Sequence, residues 1–284
     1  MLRTKCFGAR RIRYASECCG SGTKHALLPK NSFHTGENSM EFKIRLADVN
    51  IAVCSIYDEV FRLCRDYLTD GAPDFYVSPA PADIALERVK NMREAETEGI
   101  PPVDYPAPYL ETLAVYRRIA TEMLRYDTFL LHGAVIAVKE KAWLFTAPSG
   151  TGKTTHIRLW LDNIEGCYVV NGDKPLIHVG ENATVYGTPW AGKENMQKNV
   201  GVTLCGIVFL ERGAENSIER TTLSQSLPVF IQQCYRPDDK SGMEKTLALI
   251  GKLGSRIPLY RLQCNMLPEA AWTAYQVLHA DTDQ

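Results

Sequence analysis

The stretch Trp143-Leu-Phe-Thr-Ala-Pro-Ser-Gly-Thr-Gly-Lys-Thr-Thr-His-Ile-Arg-Leu159 decides how the rest of the chain is read. Residues 142–145 are a short apolar run of buried-strand type. The run breaks into small residues, and helical spacing follows, with Ile157 and Trp160 on one side. Strand, glycine loop and helix in that order are the setting a phosphate-binding loop needs. Gly150 and Gly152 let successive backbone N–H groups turn toward an anion, and the helix N-terminus adds its partial positive charge. Lys153 can reach the outer phosphates, and Thr154 offers a hydroxyl to Mg²⁺. The candidate nucleotide-binding residues are therefore Ser149, Gly150, Thr151, Gly152, Lys153, Thr154 and Thr155. The usual pattern opens on glycine, whereas here Ala147 stands first. The bland alternative is a glycine-rich turn between two core elements.

Just upstream, residues 129–138 form a continuous apolar run, which predicts one buried strand carrying His132. Lys139-Glu-Lys141 then turns the chain, so this strand and the one before the loop are expected to form a hairpin. Just downstream, residues 167–170 read as a strand ending at Asn171-Gly-Asp-Lys-Pro175, where Pro175 forbids a continuing central strand. Farther on, residues 183–186, 202–210 and 259–262 read as strands, and 224–234, 243–253 and 268–278 as helices. Residues 109–125 form an amphipathic helix through Leu110, Leu113, Tyr116, Ala120 and Met123.

Toward the N-terminus the pattern is different. Alternation at Phe42, Ile44 and Leu46, and again at Ile51 and Val53, predicts strands, and residues 57–68 predict a helix. Residues 74–78 read as a strand, 82–93 fit either helix or strand edge, and the proline-dense 99–108 is a linker or extended loop. Residues 40–108 are thus expected to be a small α+β subdomain in front of a larger domain at 109–284. Residues 1–39 carry seven Lys/Arg against two Glu and no periodicity, and they read as a disordered basic tail or a gene-model extension ahead of Met40.

Composition sets outer limits. The 284 residues are 45% hydrophobic and 23% charged, ordinary for a soluble protein, and the net charge of −1 carries no nucleic-acid signature. No apolar run approaches membrane-spanning length. The nine cysteines form no C-x-x-C pair and read as reduced core residues of a cytoplasmic protein.

Three stretches in order, Leu131-His-Gly-Ala-Val, Ser149-Gly-Thr-Gly-Lys-Thr-Thr155 and Val170-Asn-Gly-Asp-Lys174, resemble the catalytic domain of HPr serine kinase/phosphorylase and its relatives, which share a fold with phosphoenolpyruvate carboxykinase. The resemblance covers roughly residues 125–280. It implies an α/β fold: a mixed-sheet P-loop kinase core of the HPr-kinase/carboxykinase type. It also implies ATP and Mg²⁺ as cofactors. His132 falls at the family's active-site histidine, and Lys153 and Thr154 match its phosphate-binding lysine and metal-binding hydroxyl. The family's strand-end motif is a pair of aspartates. The second matches Asp173, a Mg²⁺ ligand by resemblance, and the first, the general base, falls on Gly172. His132 or Asp173 is then left to take the acceptor proton.

Arg236, after a helix and before Pro237, is a candidate to neutralise the transferring phosphate, against the plainer reading of a helix C-terminal cation. Trp190 and Lys193, in Gly187-Thr-Pro-Trp-Ala-Gly-Lys193, either line a substrate pocket or belong to a hairpin turn. The resulting expectation is an ATP-dependent kinase acting on a hydroxyl, serine first, of a peptide, protein or small molecule, with no nucleic-acid or membrane partner. A homo-oligomer is compatible with the sequence. The rivals are a carboxykinase-like enzyme and a nucleotide-binding regulator without turnover.

Overall fold

The structure is a computed structural model that describes residues 39–282. The expectation for the N-terminal basic tail falls on residues outside these, apart from residue 39. The described chain begins with a hairpin, β1 (Met40–Leu46) and β2 (Val49–Ser55), with Ile44 opposite Ile51. Ala47 and Asp48 both adopt positive φ, 46° and 64°, as a tight turn matched to strand twist requires. Helix α1 (Asp58–Cys64) leads back to β3 (Phe75–Val77), which lies parallel to β2. The segment that fitted helix or strand edge is helix α2 (Pro81–Glu98), and α3 (Ala107–Met123) follows the proline-dense stretch. Val115, Ile119, Ala120 and Met123 of α3 close one core with Ile44, Ile51, Val53 and Val77, and Leu130, Leu176 and Trp190 join it from the rest of the chain.

The remaining strands build one mixed nine-stranded sheet. Its strands are β4 (Thr128–Leu130), β5 (Ala134–Val138), β6 (Lys141–Thr146), β7 (Cys167–Asn171), β8 (Leu176–Val179), β9 (Ala183–Tyr186), β10 (Gly201–Arg212), β11 (Ser217–Thr221) and β12 (Leu259–Cys264). The order is β4-β8-β9-β10-β6-β5-β7. The same edge of β10 carries β9 along its first part and β12 along its second, with β11 outside β12. Strands β6 and β12 run parallel to β10, and the other pairings are antiparallel.

Side chains alternate across this sheet, and both faces are covered. Trp143, Phe145, Ile136 and Val208 pack under α4 (Lys153–Asn163) and α7 (Glu269–Ala280). Leu144, Val135, Ile207 and Phe209 pack under α5 (Leu223–Gln233) and α6 (Lys240–Gly254). Two buried faces explain why these strands read as unbroken apolar runs. The six cysteines among the described residues are free thiols, and burial pushes Cys64 and Cys234 up to about 12. No helix among the described residues is long and apolar enough to cross a membrane.

One expectation needs correction. The run 129–138 is not one strand carrying His132. It divides into β4, paired with β8, and β5, paired with β6 and β7, and His132-Gly133 lies in the break. The backbone there leaves the ladder: the His132 N–H donates to the Gln233 carbonyl at 2.8 Å and the Gly133 N–H to the Asp173 carbonyl at 2.9 Å. Hydrophobicity alone could not show this, because both halves are buried. Strand β7 ends at Asn171, ahead of Pro175, and β8, which begins directly after the proline and pairs with β4 and β9, was not foreseen. Strand β11 carries mostly polar side chains and gave no apolar signal.

Candidate phosphate-binding site

Strand β6 delivers the glycine loop, 147–152, to the N-terminus of α4. Gly150 and Gly152 have φ of 76° and 122°, and a Cβ at either would meet nothing within 4 Å. Glycine is needed there for conformation, not for want of space. The Thr151 hydroxyl and N–H both donate to the Pro148 carbonyl, at 2.9 and 3.3 Å. From the end of β10, the Arg212 guanidinium donates to the carbonyls of Gly150 at 2.5 Å and Thr151 at 3.2 Å. These bonds hold the loop by its carbonyls. The first turn of α4 carries no acidic side chain to offset the positive end of the helix.

Lys153 folds back over the loop, its ammonium donating to the Ala147 carbonyl at 2.7 Å. Burial pushes its pKa below the ordinary lysine range, against the nearby charge of Asp173. The hydroxyls of Ser149, Thr154 and Thr155 form no hydrogen bond among the described residues, and all three residues are exposed.

The other half of the site comes from the end of β7. Asn171 is fully buried, and its Oδ1 accepts from the N–H groups of Asp173 at 2.9 Å and Lys174 at 2.7 Å, an Asx turn that fixes both residues. The Asn171 Nδ2 donates to the Thr188 carbonyl at 3.0 Å, and the Thr188 hydroxyl donates to the Lys174 carbonyl at 2.7 Å. Asp173 Oδ1 lies 2.9 Å from His132 Nε2, and Oδ2 pairs with the Lys174 ammonium. Burial alone would raise the Asp173 pKa. The His132 hydrogen bond and the Lys174 charge outweigh it and hold the carboxyl well below the usual range.

His132 Nδ1 lies 2.9 Å from Gln233 Oε1. An imidazolium satisfies both neighbours, as does the neutral ring with the Gln233 amide turned over. The two halves of the site are bonded to each other: Thr146, the last residue of β6, donates its hydroxyl to the His132 carbonyl at 2.7 Å.

His132, Asp173 and the loop are therefore brought together. Arg236 is exposed, two residues beyond the bridge between Cys234 and Leu131, and makes no hydrogen bond or ion pair among the described residues. Trp190 does not line an open pocket. It is 7% exposed, donates from Nε1 to the Thr112 carbonyl at 3.0 Å and packs on Tyr116. Lys193 is exposed. Sequence reading gave no roles to Asn171, Thr188, Lys174, Arg212 and Gln233. The Asn171-Gly-Asp-Lys spacing held the Asx-turn signal for the first. Lys174 is set by the same turn and by its neighbour Asp173, while Thr188, Arg212 and Gln233 depend on long-range pairing, which no local pattern carries.

A resident Mg²⁺ fits these residues poorly. Thr154 has a free hydroxyl, but each Asp173 oxygen already bonds a side-chain nitrogen. Gly172 supplies no second carboxylate, and a Cβ there would lie 3.0 Å from the Ala191 carbonyl. Among the described residues no group of three or more His, Cys, Asp or Glu is placed to hold a metal.

No family model matches the chain, and no curated protein matches it. Among solved structures it is similar to the Hpr(Ser) kinase/phosphatase from Coxiella burnetii, at 10% identity and a TM-score of 0.31, over 54% of this chain and 94% of that one. A likeness this distant carries no argument about activity, which has to be read from the site's own residues.

Proposed function

We propose that the protein is an ATP-dependent phosphotransferase of the HPr-kinase type, acting on a hydroxyl of a peptide, protein or small molecule. The observation that carries this reading is the bond from Thr146 to the His132 carbonyl, which joins the glycine loop to the His132–Asp173 pair. Phosphoryl transfer asks mainly for positioning and charge. The loop N–H groups and Lys153 hold the phosphates, and the Thr154 hydroxyl would be the residue to meet a Mg²⁺ carried in by the nucleotide. An acceptor hydroxyl placed at the Asp173 carboxylate gives up its proton there as its oxygen bonds the phosphorus and ADP leaves. His132 Nε2–H donates to Asp173 Oδ1 and orients the carboxylate, and Gln233 holds the opposite ring nitrogen.

The other reading, a regulator that binds nucleotide without transfer, is favoured by Gly172, where the resembling motif has a carboxylate. One experiment separates them. Incubation with γ-labelled ATP and a panel of hydroxyl acceptors should give label transfer that Lys153→Met abolishes and Asp173→Asn lowers by about 10²-fold or more. Tight ATP binding with no transfer or hydrolysis would establish the regulator and overturn the phosphotransferase.

A further inference from the structure

We infer that Lys174 supplies at Asp173 the positive charge that a divalent cation supplies at other phosphate loops, so that this site binds phosphate groups without a metal. The inference rests on the phosphate-site reading above and concerns the same pocket. Lys174 is pinned at its backbone, its N–H by Asn171 Oδ1 and its carbonyl by the Thr188 hydroxyl, each at 2.7 Å. Its side chain is 28% exposed, its ammonium pairs with Asp173 Oδ2, and it lies 5.8 Å from the ring centroid of the buried Tyr116. Leaving that position costs the ion pair and the aromatic contact together.

A divalent ion approaching Asp173 meets this ammonium on one oxygen and the His132 ring on the other. Like charges so close repel, and Mg²⁺ sheds its waters reluctantly, so the lysine holds the place. Lys153 feels the charges of both Asp173 and Lys174, which puts the three groups in one electrostatic unit. Two ammonium groups against one carboxylate leave that unit net positive before any metal arrives. Polyphosphate is anionic, and it meets in these lysines the charge it otherwise takes from a cation.

Calorimetric titration of the full chain tests this, with inorganic tripolyphosphate and with ATP as probes, in EDTA and in excess Mg²⁺. The unaltered protein should bind in the two buffers with affinities within about threefold of each other. Lys174→Met, which keeps the stem and removes the charge, should lose about tenfold or more in EDTA and regain part of it when Mg²⁺ is added. Lys174→Arg should behave as the unaltered protein does. Unaltered protein that needs Mg²⁺ by about tenfold or more overturns the inference, as does Lys174→Met binding in EDTA like its parent. If Lys174→Met does not fold, the comparison of buffers on the unaltered chain still decides. Mg²⁺-dependent binding that Lys153→Met removes leaves the phosphate site standing and sinks the Lys174 assignment alone. No binding in either buffer overturns both.

Discussion

At the scale of single residues, polar groups in this molecule are placed against buried neighbours, some of them far away in sequence, as Gln233 is from His132. His156 shows the cost of such placement outside the site. It is 2% exposed, its Nε2 accepts from Trp160 Nε1 at 2.9 Å, and its ring lies tilted against Phe145. Burial pushes its pKa from 6.5 down to about 4. The unfolded chain therefore binds a proton in that window that the folded chain refuses. Stability is full above the unfolded value and is lost as pH falls from 6.5 toward 4. We expect His156→Gln, which still accepts from Trp160 but does not titrate, to flatten that limb by up to about 3 kcal/mol relative to its parent. Chemical denaturation across the window measures it, and parallel curves for the two proteins would contradict the account. The same residue marks what the sequence could show. Its i, i+4 spacing to Trp160 on a helix was legible, whereas its neutral, buried state depends on Phe145 and Cys264 across the sheet.

At the scale of elements, the decisive event is the break between β4 and β5. The strands themselves were legible because Ala142 to Phe145 form an unbroken apolar run, buried on both faces, and because Phe42, Ile44 and Leu46 alternate with polar residues in the small sheet. The break was not, since Gly133 sits in an otherwise apolar run and only its surroundings require it. A Cβ there would come within 2.7 Å of Leu144 Cδ2 and 2.9 Å of the Phe145 carbonyl. Gly133→Ala should therefore push β5 off β6 at the point where the loop begins, at a cost of about 1–3 kcal/mol. The loss is read as a shift in the denaturation midpoint, and an unshifted midpoint would mean that the contact relaxes freely. Displacing the break also displaces His132, so phosphate binding and stability should fall together in this variant.

At the scale of the whole molecule, the described chain is a small sheet and a large mixed sheet whose cores meet through α3. The α/β character and the position of the glycine loop were readable because they depend on local period and on short-range turn chemistry. The order of the large sheet was not, because β9 and β12 share one edge of β10 and β11 is mostly polar. What that order achieves is convergence. The ends of β6, β7 and β10 and the break after β4 bring Lys153, Asp173, Arg212 and His132 to one place. The central claim is that the glycine loop and the His132–Asp173 pair form one site. The most direct measurement is the NMR spectrum of the histidine rings during titration with tripolyphosphate, with the His132 signals assigned by their absence in His132→Gln. The account predicts that phosphate shifts the His132 ring signals in the unaltered protein and leaves them in place in Lys153→Met. Saturable phosphate binding with no change at His132 would contradict it.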